Sequence, residues 1–171
     1  MKKIYFLLAA VAIFAACNPN EPSIPEGNTP ATAFADAKFF TALGTNTVPN
    51  VEGDNHDQPF TMDSVRSEVV LLTDSTLDIY LFGINFSSKM PVTIDLTIPG
   101  VSYTRTAESL ILTGDSLVPL MGERPFDRYV ITALTGTITE KEFKLKNGYG
   151  SYADCTYEGV ITGMEKQKPE E

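Results

Sequence analysis

From Phe60 onward the chain alternates apolar and polar residues with a period of two. Leu77, Ile79 and Leu81 interleave with Asp78, Tyr80 and Phe82, and Val92, Ile94, Leu96 and Ile98 interleave with Thr93, Asp95 and Thr97. This period sends alternate side chains to opposite faces of a β-strand. Each segment can therefore bury one face and wet the other, as antiparallel strands do. Turn chemistry separates the segments at Thr73-Asp74-Ser75, Pro99-Gly100, Thr113-Gly114-Asp115, Thr139-Glu140-Lys141 and Asn147-Gly148. Asn-Gly suits the positive φ values of a type I′ turn and predicts a hairpin between Phe143 to Lys146 and a strand starting near Tyr149. The pattern predicts strands near 34–41, 62–72, 76–84, 91–98, 101–106, 108–113, 129–138, 142–147 and 150–162. Gly83 and Gly136 fall in or beside them, where glycine marks a bulge or bend.

About eight strands joined by tight turns predict an all-β domain, an antiparallel up-and-down barrel, with a β-sandwich as the alternative. On that register Leu77, Ile79, Leu81, Val92, Ile94, Leu96, Phe143 and Leu145 are the candidate barrel-lining residues. Ala31 to Leu43, with Phe34, Phe39 and Phe40, reads either as a short helix or as a first strand. Gly53 to Asp57 is a loop by composition.

The N-terminus has a different pattern. Lys2 and Lys3 precede an apolar run from Ile4 to Ala16, and Ala15 and Ala16 abut Cys17. This is the layout of a secretory signal, and at about 13 residues the run is shorter than the roughly 20 that span a bilayer. Phe14-Ala15-Ala16-Cys17 resembles the bacterial lipobox, with Phe14 where Leu, Val or Ile is usual. The expectation is a lipoprotein signal peptide over 1–16, cleaved before a lipidated Cys17. A Pro-rich tether over 17–30 would follow, its prolines stiffening the chain. The barrel domain would span 31–165, ending in a charged tail at 166–171.

The 171 residues carry 13 Lys plus Arg against 22 Asp plus Glu. Without Lys2 and Lys3 the mature chain would carry a net charge of about −11. Such a surface cannot neutralise phosphates, so nucleic acid is not an expected partner. Anionic headgroups would repel it as well, so membrane attachment falls to the lipid. If Cys17 is acylated, Cys155 is left alone in an oxidising compartment, and the domain must be stable without a disulfide. Cys155 reads as a small buried residue, since no His or cationic cluster lies near it in sequence.

Catalytic patterns are sparse. The chain has one His, at 56, and no Trp, and it lacks a Gly-x-Ser-x-Gly elbow, a phosphate-binding Gly-Lys loop and a His-Glu-x-x-His pattern. Asp54, His56 and Asp57 lack the spacing of a metal site and read as a solvated loop. No enzyme, cofactor or metal is expected. Tyr103, Arg105, Arg124, Arg128 and Tyr129 read as strand-surface residues, with a shared polar pocket as the alternative.

The run Leu81-Phe82-Gly83-Ile84-Asn85-Phe86, followed by Met90-Pro91-Val92-Thr93-Ile94-Asp95-Leu96-Thr97-Ile98-Pro99-Gly100-Val101, resembles the calycin-like β-barrel domain of secreted lipoproteins from Bacteroides and related bacteria. Leu134 to Thr137 and Tyr157 to Gly159 are similar to that family's Gly-containing closing strands. The resemblance covers about Phe60 to Gly163. It implies a calycin-like barrel, a cell-envelope address, anchored by lipid to the outer membrane on its periplasmic or surface face, and by analogy an apolar ligand in the lumen. Asp63-Ser64-Val65, Asp74-Ser75-Thr76 and Asp115-Ser116-Leu117 resemble the O-glycosylation acceptor of such bacteria, making Ser64, Ser75 and Ser116 candidate sites. Asp-Ser is also ordinary turn composition. The leading expectation is an anchored barrel that binds a small apolar or amphipathic ligand. The alternative is a structural or interaction module, filled by its own side chains, that meets an envelope protein.

Overall fold

The computed structural model describes residues 34–49, 59–87 and 90–170. The chain forms β1 (Phe39–Val48), β2 (Phe60–Leu71), β3 (Thr76–Ile84), β4 (Ile94–Arg105), β5 (Leu110–Gly114), β6 (Leu120–Met121), β7 (Arg124–Pro125), β8 (Ile131–Ile138), β9 (Glu142–Tyr149) and β10 (Tyr152–Glu165). Eight of these pair antiparallel in the closed order β1-β2-β3-β4-β5-β8-β9-β10, and β10 returns to β1. The result is an up-and-down barrel, as the alternation predicts. The short β6–β7 hairpin lies between β5 and β8 in sequence and pairs with β4 through Thr97 and Leu120. Closure pairs every barrel strand on both sides, which removes the exposed edges of an open sheet.

Several boundaries differ from the sequence expectation. The predicted strands 91–98 and 101–106 are one strand, β4, and Pro99-Gly100 is a bulge within it instead of a turn. Asn147-Gly148 is not a type I′ turn: both residues belong to β9. The reversal comes three residues later at Gly150-Ser151, between the paired Tyr149 and Tyr152. Gly150 has φ 59° there, at the first central position, where a two-residue turn of type II′ requires glycine. Phe34–Asp36 is a single 3-10 turn and the first strand starts at Phe39, so both readings of the opening hold in part.

The barrel bends at bulges, and three of them are fastened in the same way. Gly83 (φ 65°), Gly100 (φ 68°) and Ala133 (φ 48°) lie at register breaks. Their N–H groups donate to Asp95 Oδ1 at 2.8 Å, Asp78 Oδ1 at 2.8 Å and Asp115 Oδ1 at 2.9 Å. A bulge frees a backbone donor from the ladder, and here a carboxylate accepts it. The outward acidic residues of the alternation therefore stabilise the curvature as well as keeping the surface wet.

Asp115 shows this electrostatically. The Ala133 N–H, followed by the Ser116 hydroxyl, holds its carboxyl below the ordinary 3.8. Because the folded value is the lower one, its contribution is complete above the unfolded value and is lost as pH falls through the folded one. The gap in melting temperature between the parent and Asp115→Asn should therefore shrink as pH drops below 3.8. A gap that stays constant in an acid melting series would show that the charge plays no part.

Candidate functional site: the lumen and its two ends

The candidate lining residues divide clearly. Leu77, Ile79 and Leu81 of β3 are 0% exposed, Leu96 of β4 is 1%, and Phe143 and Leu145 of β9 are 0% and 3%. Ile94 is partly buried and packs against the same cluster. Val92 is a correction: it is 62% exposed and precedes β4, which starts at Ile94 opposite the last residue of β3, Ile84. The sequence alternation runs on past the last cross-strand partner, so Val92 has nothing to pack against.

Ile98 of β4 joins this core, as do Phe40, Val65, Val69, Leu110, Leu112, Ile131, Leu134 and Ile138 from β1, β2, β5 and β8. Side chains this enclosed border no void wide enough for water. Tyr157 shows how tightly the space is used. A Cβ on Gly159 would lie 2.8 Å from the Tyr157 ring, and one on Gly44 would strike the Glu158 carbonyl and the Gly159 Cα. Gly44 and Gly159 are cross-strand partners. Over this glycine pair the Tyr157 ring crosses toward β2, where its hydroxyl donates to the Val65 carbonyl at 3.1 Å and accepts from Ser67 Oγ at 3.0 Å.

Each end is closed differently. At the end where β1 begins, Phe34 and Ala37 are buried beneath the 3-10 turn. Arg105 spans that turn, donating to the carbonyls of Phe34 (2.8 Å), Ala35 (3.2 Å) and Ala37 (3.0 Å) with its guanidinium 5.6 Å from the Phe34 ring centre. Beside it, Tyr103 is buried and donates to the Thr73 carbonyl at 2.9 Å.

At the other end Phe86 is 1% exposed and lies near-parallel to Tyr129 at 4.8 Å and to Tyr152 at 5.9 Å, with Tyr149 tilted against it at 5.0 Å. Asn85 fixes this loop by donating to the Met90 carbonyl and accepting from the Ser87 N–H. Tyr103 and Arg105 thus stand at the opposite end from Tyr129, Arg128 and Arg124. They share no pocket, and Tyr103 faces inward instead of lying on the strand surface.

The remaining candidates scatter. Cys17, Asp54, His56 and Asp57 lie outside the described residues. Ser64, Ser75 and Ser116 are exposed. Ser64 (φ 60°) sits at the β1–β2 bulge, where its neighbour Asp63 accepts from the Thr45 hydroxyl at 2.8 Å. Ser116 (φ 54°) donates to Asp115 Oδ2 at 2.9 Å. Two of the Asp-Ser pairs therefore also serve the bends. Cys155 is a free, buried thiol, pushed up to about 12 by burial and by the nearby Asp154 charge, so it stays protonated and unreactive at neutral pH. Among the described residues no three His, Cys, Asp or Glu side chains come together as a metal site, and no helix is long and apolar enough to cross a membrane. Lys166 and Lys168 of the tail reach Asp36 and Glu68 at 3.7 and 3.4 Å.

The outer wall carries a groove of about 450 Å³ over β5, β8, β9 and β10, bordered by Ile111, Thr135, Lys144, Lys146 and Glu158. It lies outside the barrel. An eight-stranded meander closed on itself, packed through its centre and stoppered at both ends, places the chain among small up-and-down β-barrels. No protein-family model, curated protein or solved structure matches it.

Proposed function

We propose that this chain is a bacterial cell-envelope lipoprotein, held to the membrane through an acylated Cys17, whose barrel is a non-catalytic interaction module and not a carrier of apolar ligands. The resemblance to calycin-like lipoproteins of Bacteroides and the lipobox-like Phe14 to Cys17 support this address, with the outer membrane as the proposed site of anchoring. The single observation that carries the functional reading is the enclosure of Leu77, Ile79, Leu81, Leu96, Phe143 and Leu145 at 0–3%. Eight strands give a lumen just wide enough to be filled or to hold one ligand, and here aliphatic and aromatic side chains occupy it. What remains for recognition is the outer wall and the loops, which an envelope protein could meet. Ser64, Ser75 and Ser116 are accessible for glycosylation, and the intact mass of protein from its own source would report glycans there.

Titration of the mature chain with an apolar fluorescent probe should give no saturable binding. Stoichiometric uptake competed by fatty acid would return the carrier reading. In parallel, Cys17→Ser should leave the membrane fraction or retain its signal. Unchanged partition and processing would remove the anchor from the proposal.

A further inference from the structure

Glu68 is out of place on the outer wall. It lies between the inward Ser67 and Val69 of β2 and so faces away from the lumen, yet it is 9% exposed, the one charged residue that is buried among the described residues. Its cross-strand partners are Thr41 on β1 and Tyr80 on β3. What covers it is the tail. β10 ends at Glu165, whose carbonyl accepts from the Lys38 N–H. Beyond it Lys166 reaches Asp36, and Lys168 crosses β1 to reach β2.

Lys168 Nζ lies 3.4 Å from Glu68 Oε2 and 5.3 Å from the centre of the Tyr80 ring. A carboxylate withdrawn from water needs a counter-charge, and an ammonium is attracted to an aromatic face. Together they form a seat for one lysine. Arg66 does not fill it, because its guanidinium lies over the Phe82 ring at 4.1 Å and meets the other oxygen, Oε1, at 3.6 Å. The seat is built into β2 and β3, whereas its occupant belongs to a segment, 166–170, that is exposed throughout. The second ion pair of that segment, Lys166 to Asp36, is fully at the surface, where such pairs contribute little. The segment is therefore held loosely enough to be exchanged.

We propose that Glu68 and Tyr80 form a docking seat on the outer wall for a lysine from a basic segment of another protein, with Lys168 as the resident competitor. The inference rests on the reading of the barrel as an interaction module and names its surface and its partner's chemistry. A chain with a net charge of −9 attracts a basic partner over distance. Such a partner has to supply what Lys168 supplies, an ammonium on a long apolar stem that passes beside Tyr80.

The test titrates the peptide acetyl-Lys-Gln-Lys-Pro-amide, which copies residues 166–169, into the mature chain and into its Lys168→Ala variant, following the Tyr80 ring signals by NMR. A tethered competitor acts at an effective concentration that reaches millimolar, so the variant should bind about tenfold more tightly than the parent. Norleucine in place of the peptide's second lysine should abolish the shifts, and so should Glu68→Gln introduced into the variant. No saturable binding to the variant, equal affinity for variant and parent, or binding that survives norleucine or Glu68→Gln would overturn the proposal. Self-association of the parent that Lys168→Ala abolishes would also overturn it, since the occupant would then be the tail of a second copy. If the Glu68→Gln protein does not fold, the norleucine peptide decides. A failure here leaves the filled lumen untouched, whereas uptake of an apolar probe would remove the module reading even while the Tyr80 shifts persisted.

Discussion

Replacing Leu96 with aspartate should abolish cooperative unfolding near neutral pH. Leu96 is 1% exposed, paired across β3 with Leu81, and surrounded by apolar side chains. An aspartate there has no cation to meet, and an unpaired carboxylate in such a site costs several kcal/mol even after it takes up a proton. A domain of this size has about 5 to 15 kcal/mol in total. Thr104→Asp, on the exposed face of the same strand, should change stability by about 0.5 kcal/mol or less. Thr97 is a poorer control, because β6 covers it. Urea melts of the two variants test the register directly: a Thr104 variant more damaging than the Leu96 variant would mean that β4 is inside out. The burial that makes Leu96 so sensitive also argues against a ligand chamber, since an aspartate beside an open, wet cavity could stay hydrated and fold.

The register of β3, β4 and β9 is legible because one face of each is buried and the other is wet, and a one-residue slip would reverse every side chain. Local turn signals were less dependable, for reasons visible in particular residues. Asn147 and Tyr149 both point inward and are buried, so extending β9 through Asn-Gly gains packing that outweighs the intrinsic turn preference. Pro99-Gly100 reads as a break, yet Asp78 accepts the N–H that the bulge releases and β4 continues.

The ends of the barrel are not visible in sequence at all. Arg105 grips Phe34 across 71 positions, and Phe86 meets Tyr129 and Tyr152 only because three separate connections converge at one end. Asn46 carries a signal that could have been followed. Alternation through Phe40, Ala42, Gly44 and Val48 assigns it to the interior, where an amide is out of place.

Gly44→Ala should be among the most damaging single-methyl additions in the barrel. Its Cβ would run into the Glu158 carbonyl and the Gly159 Cα. Both are backbone atoms of the paired strand, so no side-chain rotation can relieve the contact. The β1–β10 seam closes the barrel, and prying it apart there also displaces the Tyr157 ring that crosses the glycine pair. The Tyr157 hydroxyl would then lose Ser67 and Val65 together. Overpacking alone costs about 1 to 3 kcal/mol, and two weakened buried hydrogen bonds add about 1 kcal/mol each. A loss of about 3 kcal/mol or more is therefore expected. Gly122→Ala separates this from the general cost of replacing glycine: its added Cβ would meet nothing within 4 Å. Only its φ of 63° opposes substitution, at about 1 to 2 kcal/mol. If denaturant melts rank Gly122→Ala as the more harmful, the seam is not the tight closure described here. If Gly44→Ala is worse and also shifts the near-ultraviolet signal of its tyrosines, Tyr157 is the element through which β10, β1 and β2 are locked together.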